Sequence, residues 1–172
     1  MKKQLLILCV AFLLGGCKGE ETFETVEDMI PDQPVAAVQQ FFVSMPQDAT
    51  APTFQNPDGE IYFCTDYTIS KQILEGGDME KTIQTITGKN AEELELLKTQ
   101  YETHDRYDFV WAAVGEEGLQ LGRACILDDG NYHYTLTAMT GESQSQSTQE
   151  QIREMFASCK LLEEDVNLHT GS

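Results

Sequence analysis

Two strand-like segments separated by a tight turn constrain the fold of this chain more than any other feature. Residues 132–138 are rich in aromatic and β-branched side chains, residues 119–127 are mainly apolar, and Asp128-Asp129-Gly130-Asn131 lies between them. An Asp- and Gly-containing turn between two such segments is a strong signal of a β-hairpin. Residues 107–115 precede a similar turn, so the sequence predicts consecutive hairpins and therefore an antiparallel sheet.

A first helix is predicted over residues 79–87. Asp78 precedes it and is a suitable N-cap, its apolar residues recur at helical spacing, and Gly88 follows its last residue. The apolar side of this helix must be buried, and the sheet is the surface available for it.

A second helix is predicted near the end of the chain. Ser147 and Glu150 have the spacing of a capping box, and the helix is expected to end near Leu162. Four residues share its apolar face: Ile152, Met155, Phe156 and Cys159.

The remaining segments supply further strands. A strand is predicted in the second half of residues 37–45, and residues 47–57 are predicted to form an irregular proline-containing loop. Residues 60–74 alternate, with Asp66 as an interruption, so they form either one long bent strand or a hairpin. Residues 90–103 favour a brief helical turn followed by a strand.

These elements predict an α+β fold, with a central antiparallel sheet of about six strands and helices packed on its faces. The chain has 172 residues, of which 41% are hydrophobic, and this is enough for one ordinary domain with a real core. We expect that single domain to span residues 35–162.

The N-terminal segment has the features of a secretory signal. Lys2 and Lys3 precede an apolar run over residues 5–14. A membrane-spanning helix needs about 20 residues, so this run is too short to span a bilayer but has the length of a signal-peptide core.

The sequence Leu14-Gly15-Gly16-Cys17 follows that run and resembles the lipobox of bacterial lipoproteins. The resemblance implies that residues 1–16 form a signal peptide, that cleavage falls between Gly16 and Cys17, and that Cys17 is acylated and anchors the protein in a lipid bilayer. The protein is then extracytoplasmic, on the cell membrane or the outer membrane. An uncleaved anchor, or an ordinary signal peptide with a chance cysteine, is the alternative.

Two polar segments flank the predicted domain. Residues 17–34 are acidic and contain two prolines, which predicts a disordered tether, and residues 163–172 are predicted to form a flexible tail. The whole chain has 29 acidic and 11 basic residues, for a net charge of −18. Nucleic acid is excluded as a natural partner, because phosphate binding needs clustered Lys and Arg.

The order of elements in the domain resembles the PsbP-like α/β/α sandwich family. That resemblance implies a central antiparallel sheet with helices on its faces and a mostly non-enzymatic role based on protein contacts and assembly. It implies no functional residue, because no binding motif matches. The segments that carry it are Asp66-Tyr67-Thr68-Ile69-Ser70, Ile86-Thr87-Gly88, Arg123-Ala124-Cys125-Ile126-Leu127, Tyr132-His133-Tyr134-Thr135-Leu136 and Met155-Phe156-Ala157-Ser158.

No motif in the sequence predicts catalytic residues, a metal site or a cofactor. There is no G-x-S-x-G nucleophile elbow, and His104, His133 and His169 lack the spacing of a zincin motif. Asp128-Asp129-Gly130-Asn131 fails the calcium-loop pattern and is interpreted as a turn. Acidic residues are so abundant that no particular pair of them predicts a glycosidase.

Strand aromatics are the candidate binding surface. They either pack under the helices or form a surface for a partner or ligand. The candidates are Tyr67, Tyr107, Trp111, Tyr132 and Tyr134.

Three cysteines remain after Cys17. Cys64, Cys125 and Cys159 cannot all pair with one another, so they are either buried free thiols or include one disulfide. A reactive thiol is less favoured, because no basic pocket that would lower its pKa is evident.

These observations predict a membrane-anchored lipoprotein that acts as a non-enzymatic module binding an envelope protein. The first alternative is a lipoprotein that binds a small ligand or a divalent cation. The second is an envelope hydrolase.

Overall fold

The computed structural model describes residues 36–50, 52–56, 59–115 and 118–162. The predicted signal peptide with Gly16 and Cys17, the predicted tether and tail, and the turn residues Glu116 and Glu117 lie outside these ranges.

The described residues form nine strands and two α-helices. The helices are α1 (Met79–Thr87) and α2 (Gln146–Ser158), and a short 3-10 turn spans Ala91–Glu93. The strands are β1 (Gln40–Phe42), β2 (Thr53–Asn56), β3 (Gly59–Phe63), β4 (Tyr67–Glu75), β5 (Leu97–Gln100), β6 (Asp105–Gly115), β7 (Gly118–Asp128), β8 (Tyr132–Gly141) and β9 (Lys160–Leu162).

Seven of these strands build one antiparallel sheet in the order β2-β3-β4-β8-β7-β6-β5. The predicted α+β class with a central antiparallel sheet is therefore confirmed. The sheet has one strand more than the expected six or so, because β2 forms in the segment that was predicted to be an irregular loop. Residues 60–74 form a hairpin, β3 and β4, with the break next to Asp66.

The first helix agrees with the prediction at both ends. The Asp78 side chain accepts a hydrogen bond from the backbone N–H of Lys81 at 3.0 Å, and Gly88 ends α1 with a left-handed φ of 70°. Both signals are local, so the sequence alone is enough to locate them.

The prediction for the second helix is wrong at both ends. Ser145, not Ser147, is the N-cap, and its hydroxyl accepts a hydrogen bond from the Thr148 N–H at 3.0 Å. The helix ends at Ser158 because the next residues leave it to form β9, in which Leu162 pairs with Gln40 of β1. This pairing joins the two ends of the described chain.

The two helices lie on opposite faces of the sheet. Ile83 of α1 packs on Phe109, Trp111, Ala124 and Ile126. Successive residues of β7 belong alternately to this cluster and to a second core beneath α2. The second core includes Phe41, Tyr67, Ile69, Cys125, Leu127, Tyr134, Leu136, Ala138, Ile152, Met155 and Phe156.

Arg106 of β6 fixes the C-terminal end of α2 to the sheet. Its guanidinium forms a two-pronged ion pair with Asp108 at 2.6 and 2.9 Å, and both side chains are largely covered, at 14% and 20% exposed. It also donates to the carbonyl oxygens of Phe156 at 3.0 Å and Cys159 at 3.4 Å. Positive charge at a helix C-terminus is favourable. The Arg106 side chain thus provides hydrogen bonds both to a carboxylate and to two carbonyl oxygens at the end of α2.

We expect Arg106→Ala to lower the free energy of unfolding by about 2–3 kcal/mol, because Asp108 and two carbonyls lose their partner. Arg153 is the matched control, because its ion pair with Glu150 is exposed. Arg153→Ala should change stability by less than about 0.5 kcal/mol in the same urea titration. Equal effects of the two substitutions would contradict this role for Arg106.

No helix among the described residues is long and apolar enough to cross a bilayer.

Candidate functional site

The outer halves of β6 and β7 present an apolar face that no described element covers. Helix α2 packs over β4, β7 and β8, and no residue of β6 belongs to the core beneath it. Val110 is 68% and Val114 is 88% exposed, and Leu119 and Leu121 are also exposed. We call this surface the hairpin face and define it as Val110, Ala112, Val114, Leu119 and Leu121.

The register explains why these five residues share one side. Val114 pairs with Leu119 and Ala112 pairs with Leu121, so alternate residues of the two strands line up on the side of the sheet that carries α2. Residues 109–115 and 118–123 contain no acidic residue, although the chain as a whole has 29. The five side chains of the hairpin face are therefore apolar, and the acidic residues nearest to them in the sequence of the hairpin are Asp108 and the turn residues Glu116 and Glu117.

The outer edge of β6 is also unpaired over much of its length. Among the described residues, β5 pairs with β6 only as far as Asp108, which leaves residues 109–115 without a neighbour on that side. Natural sheets usually protect such an edge with charges, proline or a covering element, and residues 109–115 carry neither a charge nor a proline. An unpaired apolar edge of this kind is typical of a surface that another chain covers.

The opposite side of the same hairpin is closed. Trp111 is 6% exposed and lies on the backbone of Gly122, where a Cβ would be 2.3 Å from its ring. Ala124, next along that side of β7, is buried in the same cluster. The exposure of the hairpin is therefore one-sided.

A cleft of about 610 Å³ lies where the hairpin face meets α2. Val110, Leu121, Arg123 and Ile152 are among its lining residues. A volume of this size is in the range of sites that hold small organic ligands.

The five aromatic residues predicted as a possible binding surface do not form one. Tyr67, Trp111 and Tyr134 are buried at 5%, 6% and 0% exposure, and packing against the helices is the reason. Tyr132 and Tyr107 are half-buried and lie on opposite faces of the sheet, the first with the α2 core and the second with the α1 core. Tyr67, Trp111 and Tyr134 therefore belong to the interior, and Tyr107 and Tyr132 pack at the margins of the two cores.

Asp129 organises the turn between β7 and β8. Its carboxylate accepts hydrogen bonds from the N–H groups of Asn131 and Tyr132, from the Tyr134 hydroxyl and from the Gln39 amide, at 2.8–3.0 Å. Partial burial raises the pKa of Asp129, but these hydrogen bonds outweigh burial and hold the pKa below its usual value. The interpretation of this segment as a turn is confirmed.

The two described histidines have different partners, and His169 lies outside the described residues. The ring of His104 stacks on Tyr101 with centroids 4.9 Å apart. His133 is buried under α1, where the Thr82 hydroxyl lies 2.7 Å from Nδ1 and Asp128 lies 3.6 Å from Nε2. The described residues contain no group of three His, Cys, Asp or Glu side chains arranged to hold a metal.

The buried His133 predicts a pH-dependent stability. Burial lowers the pKa of His133 below 6.5, although Asp128, Asp129 and Asp78 oppose the shift. The unfolded chain then binds more protons than the folded one just below that pH, so stability falls as the pH falls. Between about pH 7 and pH 5 we expect the free energy of unfolding to fall more steeply for the native protein than for His133→Gln. Parallel pH profiles from urea titrations would contradict this.

All three described cysteines are free thiols, which agrees with the first of the two interpretations of the sequence. Cys125 and Cys159 are buried, and their sulfur atoms are 3.5 Å apart. The hydrogen bond to Cys159, together with burial, raises the pKa of the Cys125 thiol. Cys64 is half-buried, and burial raises its thiol pKa as well.

The hairpin face is not among the binding surfaces predicted from the sequence. A signal for it is present, since the stretch from Phe109 to Val114 is apolar at every position instead of alternating. Such a strand has two apolar sides, and it is either covered on both or exposed on one. The sequence does not show how far α2 reaches across the sheet, and this decides between the two.

No protein-family model and no curated protein matches the chain. Among solved structures, the chain is similar to a crystal structure of a protein from Bacteroides thetaiotaomicron. The TM-score is 0.48, the sequence identity is 14%, and the match covers 72% of this chain and 46% of that one. The chain thus spans about half the length, 46%, of the solved structure that it matches.

Proposed function

We propose that the folded part of this chain is a non-enzymatic binding module that docks a partner protein on the hairpin face. The observation that carries the proposal is the exposure of Val110 and Val114, at 68% and 88%, on a face whose five defining side chains are all apolar. Contiguous exposed apolar surface on a soluble protein is a feature of interaction sites.

The partner's chemistry follows from the face itself and from the charge of the whole chain. An apolar centre in the partner matches the valines and leucines of the face, and a net positive charge on the partner favours its approach to a chain with a net charge of −18. An extended segment of the partner can also pair with the unpaired edge of β6, where main-chain hydrogen bonds add affinity.

Site-specific photocrosslinking in intact cells tests this proposal. A photoreactive amino acid at position 114 is expected to give one discrete adduct with another protein. The matched control places it at Gln84, which is exposed on α1 at the other face of the sheet. Adducts from both positions, from neither, or only with a second copy of this chain would overturn the proposal.

We propose further that the module is an extracytoplasmic lipoprotein, held on a membrane by acylated Cys17. Support comes from the basic start, the short apolar run and the sequence Leu14-Gly15-Gly16-Cys17. Two or more acyl chains give firm anchoring, whereas one gives only weak binding. Mass spectrometry of the mature N-terminal peptide should find Cys17 first and acylated, and Cys17→Ser should move the protein to the soluble fraction. An unmodified Cys17 in the native protein would exclude this anchor.

A relationship to the PsbP-like sandwich remains part of the proposal. One helix on each face of an antiparallel sheet is consistent with it. An experimental structure whose strand order and connections differ from that family would remove this relationship without affecting the hairpin face.

A further inference from the structure

Arg123 is the basic group at the cleft between α2 and the hairpin face. It lies on β7 between Val110 and Ala138 in the sheet, and its guanidinium is 4.6 Å from the centroid of the Phe156 ring. The ion pairs among the described residues use Lys71, Lys98, Arg106 and Arg153, but not Arg123. In a chain with so many carboxylates, this arginine has none beside it in the described part.

Two of the other polar residues in the cleft lining, Thr140 and Gln144, form hydrogen bonds within the protein, and Gln149 is the third. The Thr140 hydroxyl donates to the carbonyl oxygen of Leu121 at 3.2 Å, and the Gln144 amide donates to Thr140 at 2.7 Å. Most of the remaining lining is apolar and includes Val110, Leu121 and Ile152. One side of the cleft thus offers a cation, and most of the remaining lining offers apolar surface.

We infer that this cleft binds a small amphiphile with a single carboxylate, whose head group pairs with Arg123 and whose chain lies against Leu121 and Ile152. An arginine fork holds a carboxylate through two hydrogen bonds, and stacking on Phe156 holds the fork in a fixed orientation. The volume of about 610 Å³ fits a single chain of this class. This binding site goes beyond the proposed docking of a protein and does not depend on it, and it shares Val110, Ala112 and Leu121 with the hairpin face.

Isothermal titration calorimetry with decanoate, below its micelle-forming concentration, tests the inference. We expect one bound decanoate per chain. Decanol lacks the carboxylate and acetate lacks the apolar chain, so each should bind more weakly than decanoate by about tenfold or more. Arg123→Gln should weaken decanoate binding by a similar factor, and Arg123→Lys should retain part of it. Val114→Glu, outside the cleft lining, should leave decanoate binding unchanged and weaken only partner capture.

A measurement on the native protein does not depend on any variant folding. Decanoate should shift the NMR signal of the Arg123 side-chain Nε–H at one equivalent, ahead of the other arginine signals. The inference is overturned if decanol binds as tightly as decanoate, if Arg123→Gln binds with native affinity, or if the Arg123 signal does not move. None of these outcomes affects the docking proposal, which is tested at Val114.

Discussion

Oxidised glutathione is expected to join Cys125 to Cys159 in the folded protein and to leave Cys64 as a free thiol. The two sulfur atoms are 3.5 Å apart on neighbouring elements, β7 and the end of α2. Two thiols lose two protons and two electrons as the S–S bond forms, and these reduce the glutathione disulfide to two thiols. The reaction should be slow at neutral pH, because the hydrogen bond and burial raise the pKa of Cys125.

The disulfide should raise the free energy of unfolding by about 3–4 kcal/mol, because it closes a long loop in the unfolded chain. Its ends are 34 residues apart in sequence. A peptide map without reductant identifies the linked pair, and urea titration gives the stability. Cys64→Ser should retain the effect, and Cys125→Ser and Cys159→Ser should each abolish it. A bond to Cys64, or an oxidised protein that is no more stable, would contradict this prediction.

Gly122→Ala is expected to lower the free energy of unfolding by about 2–4 kcal/mol. The new Cβ would be 2.3 Å from the Trp111 ring, which is closer than real Cβ contacts, so the ring must leave its position. Trp111 is 6% exposed and is the one tryptophan in the chain, so its fluorescence reports the displacement directly. A red shift of the emission should accompany the loss of stability.

Gly141→Ala is the control for this substitution. A Cβ at Gly141 meets no atom within 4 Å, so stability should change by less than about 0.5 kcal/mol. In the variant that also carries Trp111→Ala, the cost of Gly122→Ala should shrink, because the clash is gone. If Gly122→Ala is as well tolerated as Gly141→Ala, the close packing of Trp111 on β7 is wrong.

Features with local causes could be predicted from the sequence. Asp78 and Gly88 bound α1 through contacts within a few residues, and Asp129 forms the turn between β7 and β8 through its immediate neighbours. Phe109 and Trp111 share a face because they are two positions apart in one strand, and this also needs only the strand period.

Features that depend on distant partners could not be predicted in this way. β9 exists because Leu162 pairs with Gln40, more than a hundred positions earlier, and this pairing shortens the predicted helix. The N-cap was misplaced because Ser143, Ser145 and Ser147 are all suitable capping residues and tertiary packing selects among them.

The candidate site also depends on how distant parts of the chain pack against one another. Apolar and aromatic strand residues could be identified from the sequence. The binding surface predicted from them, however, consisted of rings such as Tyr134, which is buried. The exposed residues are the aliphatic ones, Val110 and Val114, because α2 does not extend over the outer half of β6.

The most direct test of docking on the hairpin face measures how much of the partner co-purifies with the tagged protein. The measurement compares the native protein with a variant in which glutamates replace apolar residues of that face. Val114→Glu/Leu119→Glu should lower recovery of the discrete partner by about tenfold or more, because burying an unpaired carboxylate is costly, and neither residue lines the cleft. The matched control, Gln84→Glu/Thr85→Glu, adds the same charge to the exposed side of α1 and should leave recovery at the native level. Native recovery from the hairpin variant, with both proteins folded, would contradict the account.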